Sequence, residues 1–159
     1  MNWYNFLLAC PNCNSIKGDG WLNVNEYYWP DVHNTHLLYE FYPLGIVMVK
    51  PDLQTNIDRA RAQKTFELTG IGRYNTSDGD RRWIKRSEAW GKATVALTFY
   101  EKYGKPHEFI LIITNNATSS GFWSVWMKVF ENHIEVQNAL IVAFNHTYPN
   151  CLTTDIDRL

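Results

Sequence analysis

Beyond residue 53 apolar residues recur at helical intervals, and glycine or proline interrupts them every few turns, a pattern that a set of packed helices accommodates best. Leu53, Ile57, Ala60, Ala62 and Phe66 define a first helix of about four turns, with Gly70 just after Leu68-Thr69 as its stop. Asp78 or Asp80 can cap the next one, where Trp83, Trp90 and Leu97 recur every seven residues on one face and Arg82, Lys85 and Arg86 lie off that line. That helix ends near Tyr103-Gly104, and Pro106 suits the first turn of another. The run from Phe109 to Thr114 is too short for periodicity to separate helix from strand, and it is assigned to helix. Beyond Gly121, residues 122–130 and 134–144 make two more apolar-faced helices, with Trp123, Trp126 and Phe130 on one side.

A small β component precedes these helices. The β-rich runs Leu37 to Tyr42 and Ile46 to Val49 flank Pro43-Leu44-Gly45, a turn signal whose glycine can take positive φ, and together they read as a hairpin. The expected fold is therefore α+β and mainly α, with four or five helices around a Trp-rich core. A chain of 159 residues fits one domain, divided into a leading motif at 1–20, a loop and hairpin at 21–52, a helical body at 53–148 and a loose tail at 149–159. Seven Trp, nine Tyr and eight Phe exclude general disorder. The longest apolar candidates, 109–113 and 139–144, are far too short to span a membrane, and no basic-then-apolar leader opens the chain, so a cytoplasmic location is expected.

Charge gives a local rather than a global signal. The net charge of −1 provides no overall attraction for nucleic acid. Between Asp58 and Arg86, however, Arg59, Arg61, Lys64, Arg73, Arg81, Arg82, Lys85 and Arg86 face only Asp58, Glu67, Asp78 and Asp80. Such a patch can track a phosphate backbone, or it can be a solvated helix face laced with ion pairs. The Trp83-Trp90 and Trp123-Trp126 pairs read as core rather than as base-stacking platforms.

Three cysteines, two of them in a C-x-x-C, do not make the dense framework of a disulfide-built scaffold. Cys10 and Cys13 can supply half of a tetrahedral zinc site, or they can be a reduced or redox-active thiol pair. His33 and His36 could complete a two-cysteine, two-histidine set; alternatively, they are solvent-facing side chains at a strand entry.

The residues around the cysteines carry a more specific signal. Trp3-Tyr4-Asn5-Phe6-Leu7-Leu8-Ala9-Cys10-Pro11-Asn12-Cys13-Asn14-Ser15-Ile16-Lys17-Gly18 resembles the second half of the HNH endonuclease motif, with its C-x-x-C-N-x-x-K-G. The stretches Tyr28 to Asp31, His36 to Phe41, Ala62 to Arg73, Arg81 to Gly91, Gly121 to Met127 and Ala139 to Phe144 resemble the tail of one bacterial subfamily. The resemblance implies metal-dependent hydrolysis of DNA phosphodiester bonds. A histidine on a preceding strand activates water, and one Mg²⁺ or Mn²⁺ stabilises the phosphorane charge. On this resemblance Asn14 occupies the catalytic helix position, Asn5 braces the general-base loop, and Cys10 and Cys13 bind structural Zn²⁺. Lys17, Arg81, Arg82 and Lys85 are the expected contacts to DNA.

Only four residues precede Asn5, and none is histidine or acidic. The front half of the motif is thus expected to be missing, either because the true start lies upstream or because the chain is a remnant that has lost its catalytic strand. The alternative is a non-catalytic DNA- or partner-binding remnant that docks on a component of a defence or mobile-element system. A homodimer that pools Cys10 and Cys13 of two copies into a four-cysteine zinc site is a further expectation.

Overall fold

Pro43, Leu44 and Gly45 reverse the chain between two three-residue strands, β1 (Tyr39–Phe41) and β2 (Val47–Val49), which pair antiparallel with Tyr39 opposite Val49 and Phe41 opposite Val47. The expected hairpin is present, shorter than the β-rich runs, because Thr35–Leu38 turns into a 3₁₀ helix. Positive φ falls on Leu44 (64°) as well as on Gly45 (77°). This computed structural model describes residues 11–19, 22–30, 32–74, 79–144, 152 and 156. Asn5, Cys10 and Asp78 lie outside the described residues, as does most of the 149–159 tail.

Six helices are described: α1 (Pro11–Lys17), α2 (Asn56–Thr69), α3 (Arg82–Lys102), α4 (His107–Ser120), α5 (Trp123–Val129) and α6 (Ile134–Ala143). Local chemistry sets their ends. The Thr55 hydroxyl accepts the Asp58 N–H at 3.0 Å and donates to the Asp58 carboxylate at 2.8 Å, which opens α2. Gly70 closes it at φ 57°, in the left-handed conformation. Asp80 accepts the Arg82 N–H at 3.0 Å at the start of α3. The ambiguous 109–114 run is helical, and Pro106 sits one residue ahead of α4 rather than inside its first turn.

The buried face of α3 differs from the expected line. Arg86, Ala89, Ala93 and Tyr100 are buried, while Trp83, Trp90 and Leu97 are half-buried along the flank. The reason is the hairpin turn, whose Gly45 approaches α3 so closely that a Cβ there would lie 2.0 Å from the Trp83 carbonyl oxygen. Ala89 and Ala93 form the middle of this buried face, and Trp90 and Leu97 pack against the two apolar clusters from its flank.

Two apolar clusters result. Ala93, Tyr100, Ile110, Ile113, Ala117, Trp126, Met127, Phe130, Val136 and Leu140 join α3 to the last three helices. Tyr28, Leu38, Tyr39, Phe41, Val47, Ala62, Ala89 and Val125 join the hairpin, α2, α3 and α5. Adjacent residues of α5, Val125 and Trp126, thus enter different clusters. Trp126 is fully buried and is core, as expected of it, whereas Trp83, Trp90 and Trp123 are only half-buried. Ile156 packs on the second cluster and its carbonyl accepts the Asn34 N–H at 2.7 Å, so the tail is tied down at that residue rather than loose.

Candidate nucleic-acid interface

Proline at the first helical position starts α1, and Gly18, at φ 64° with its N–H on the Asn14 carbonyl at 3.1 Å, ends it. Asn14 and Lys17 are three apart, share one side and are exposed. Ile16 turns inward against the C-terminus of α2, where a Cβ on Gly70 would lie 2.6 Å from its Cδ1. None of the seven residues of α1 is buried, so apolar packing contributes little to its placement.

A polar corner holds α1 instead. Arg82 Nε donates to both Asp80 carboxylate oxygens at 3.0 Å, and Nη2 donates to Asp80 Oδ2 at 2.7 Å and to the Gly70 carbonyl at 2.9 Å. Nη1 donates to the Thr69 carbonyl at 3.1 Å and to Cys13 Sγ at 3.0 Å. Every one of the five guanidinium N–H groups therefore has an acceptor. Asn12 Nδ2 adds a bond to Asp80 Oδ1 at 3.4 Å. The Arg82 guanidinium in turn holds the Asp80 carboxyl below its ordinary range.

This geometry corrects the assignment of Arg82 as a DNA contact: its side chain is 13% exposed and it ties three elements together. Arg81 and Lys85 are exposed as expected, with Lys85 Nζ on Glu88 at 2.8 Å. Other members of the cationic run are also committed to protein partners, although Arg59, Lys64 and Arg73 are exposed. Arg61 donates to the Tyr27 carbonyl, contacts His33 Nε2 at 3.1 Å and lies 4.2 Å over the Tyr28 ring. Arg86 is buried with Nε on the Gly45 carbonyl at 2.9 Å, and desolvation followed by the Arg82 charge pushes its pKa to about 10. Lys64 pairs with Glu26, and Arg59 donates to the Pro51 carbonyl. Lys17, Arg73 and Arg81 are exposed cations around the α1–α3 corner. Clasping arginines were missed because an Asp-x-Arg spacing carries no distinctive signal in one sequence.

His33 and His36 are not solvent-facing. His33 is buried and its Nδ1 accepts the Trp29 N–H at 2.9 Å, while its Nε2 meets Arg61, so neither nitrogen is turned toward Cys13. His36 packs edge-on to Trp123 at 5.0 Å, and its buried Nδ1 makes no hydrogen bond. Burial, reinforced by Lys50 and Lys128, pushes its pKa down to about 4. Between pH 6.5 and 4 the unfolded chain thus binds a proton that the folded chain refuses. Stability is then lost as the pH falls through that window, by up to about 3 kcal/mol. Urea midpoints taken at pH 7 and pH 4.5 are expected to converge in His36→Gln relative to the parent chain.

Among the described residues no three His, Cys, Asp or Glu side chains gather closely enough to hold a metal ion. Cys13 is half-buried, and its sulfur accepts from Arg82 Nη1 at 3.0 Å. The described residues alone do not make a zinc site, and any complete set has to draw on others, Cys10 first. No helix among them is long and apolar enough to cross a membrane. Comparison with protein-family models, with curated proteins and with solved structures finds no match to this chain.

Proposed function

We propose that this chain carries the helix side of an HNH-type endonuclease and acts on DNA. The observation that supports the reading is a short helix immediately after Cys10 that presents Asn14 and Lys17 together on its exposed side. Lys17 supplies a mobile cation for a backbone phosphate. Asn14 offers an amide oxygen, a hard donor that fits Mg²⁺ or Mn²⁺ as one ligand; such an ion would stabilise negative charge on the scissile phosphate. Arg81 and Lys85 extend the phosphate contact along α3.

A second reading is DNA or partner binding without cleavage, which the exposed Lys17, Arg81 and Lys85 support by themselves, with no catalytic group required. Incubating supercoiled plasmid with Mn²⁺ separates the two. Nicking that disappears in Asn14→Ala supports hydrolysis by this helix, and salt-sensitive retention of intact plasmid supports the second reading. Neither retention nor nicking overturns hydrolysis and DNA binding alike. Zinc analysis of the purified protein tests the dimer proposal, with one ion per two chains as its expected ratio.

A further inference from the structure

Among the described residues, α1 is tied to the body by polar contacts more than by a core. None of its residues is buried, and its ties to the described body include the Ile16 contact at Gly70, the Asn12–Asp80 bond and the Arg82–Cys13 bond. Arg82 is common to the corner: it spans the last carbonyls of α2, the carboxylate before α3 and the sulfur on α1. A planar fork with five donors meets these acceptors from one side chain. The Thr69 and Gly70 carbonyls lie at the C-terminal end of α2, where orphan acceptors and the helix dipole favour a cation. The same guanidinium that completes α2 therefore sets the position of the helix bearing Asn14 and Lys17.

We propose that Arg82, seated by Asp80, is the positioning residue of this interface: it does not touch DNA but fixes α1 so that Asn14 and Lys17 face one phosphate track. This rests on the DNA-directed reading for its functional consequence and on the described hydrogen bonds for its mechanical part. Lysine in place of Arg82 keeps the charge but brings three donors from a single nitrogen, so it cannot serve the α2 carbonyls, Asp80 and Cys13 together.

The test uses the full chain with Arg82→Lys, and Asp80→Asn as a milder second variant should the first fold poorly. Hydrogen exchange reads the mechanical part. Amides of residues 15–18 are expected to exchange about tenfold faster in either variant, a change in local opening of the size one lost charged hydrogen bond produces, while those of α4 to α6 keep their rates. Equal acceleration throughout the chain, or none in α1, overturns the proposal. A double-mutant cycle with a short DNA duplex as probe reads the functional part. Arg82→Lys is expected to weaken binding about fivefold in the parent chain and to have little effect in a Lys17→Ala background, the behaviour of coupled residues. The same loss in both backgrounds contradicts positioning. If the parent chain does not bind the duplex, the DNA reading fails, and the exchange rates still decide whether Arg82 fixes α1.

Discussion

Gly45→Ala is expected to lower the unfolding free energy by about 3–5 kcal/mol, the combined effect of left-handed strain and overpacking. A Cβ at this position would lie 2.0 Å from the Trp83 carbonyl oxygen and 2.8 Å from its carbonyl carbon. Both are backbone atoms in the first turn of α3, and neither can swing away as a side chain would. At φ 77° the added Cβ is strained even without the contact. Retreat of the turn would also cost the Arg86 Nε bond to the Gly45 carbonyl, leaving a buried guanidinium whose Nη2 already makes no hydrogen bond. Thermal unfolding followed by far-UV circular dichroism checks this, with a drop of roughly 10 °C expected for a domain of this size. Gly91→Ala serves as the control: it lies within α3, a Cβ there meets nothing within 4 Å, and a gain of about 0.5–1 kcal/mol is expected.

Trp126→Ala is expected to cost about 3–5 kcal/mol, the range for truncating a fully buried large aromatic. The indole is inaccessible, stacks on Phe130 at 6.4 Å with 5° between planes, and donates through Nε1 to Ser120 Oγ at 3.1 Å. Removing it opens a cavity where the C-terminus of α4 meets α5 and takes the Ser120 hydroxyl's donor away. Trp126→Phe fills part of the space without restoring that hydrogen bond, so an intermediate urea midpoint is expected. Equal midpoints for Trp126→Ala and the parent chain would mean that α5 does not anchor the last three helices.

Helices and the hairpin were legible because each rests on local chemistry. Gly70 closes α2, Gly121 ends α4, and Pro43-Leu44-Gly45 makes the turn, whereas the Thr55 cap, three residues before Asp58, starts α2 later than the Leu53 periodicity implies. The buried face of α3 was not legible. Its heptad of large residues is a real periodicity, but which neighbouring face turns inward depends on a hairpin that arrives from another part of the chain. The same limit applied to charge. Counting cations between Asp58 and Arg86 suggested a phosphate track, yet Arg61, Arg82 and Arg86 bind carbonyls, a histidine, a carboxylate and a sulfur drawn from up to 69 residues away. Histidines at a strand entry looked exposed until Trp29, Arg61 and Trp123 closed over them. Asn14 and Lys17 were singled out by the HNH resemblance, and α1 leaves both exposed.

The most direct measurement is the salt dependence of duplex DNA binding by the parent chain and by Lys17→Ala. The expected result is measurable retention at low salt and a log–log slope that falls by about 0.9 when Lys17 is removed, the value for one phosphate contact. Unchanged affinity and slope in Lys17→Ala, or no retention by the parent chain at low salt, would contradict a DNA-facing α1.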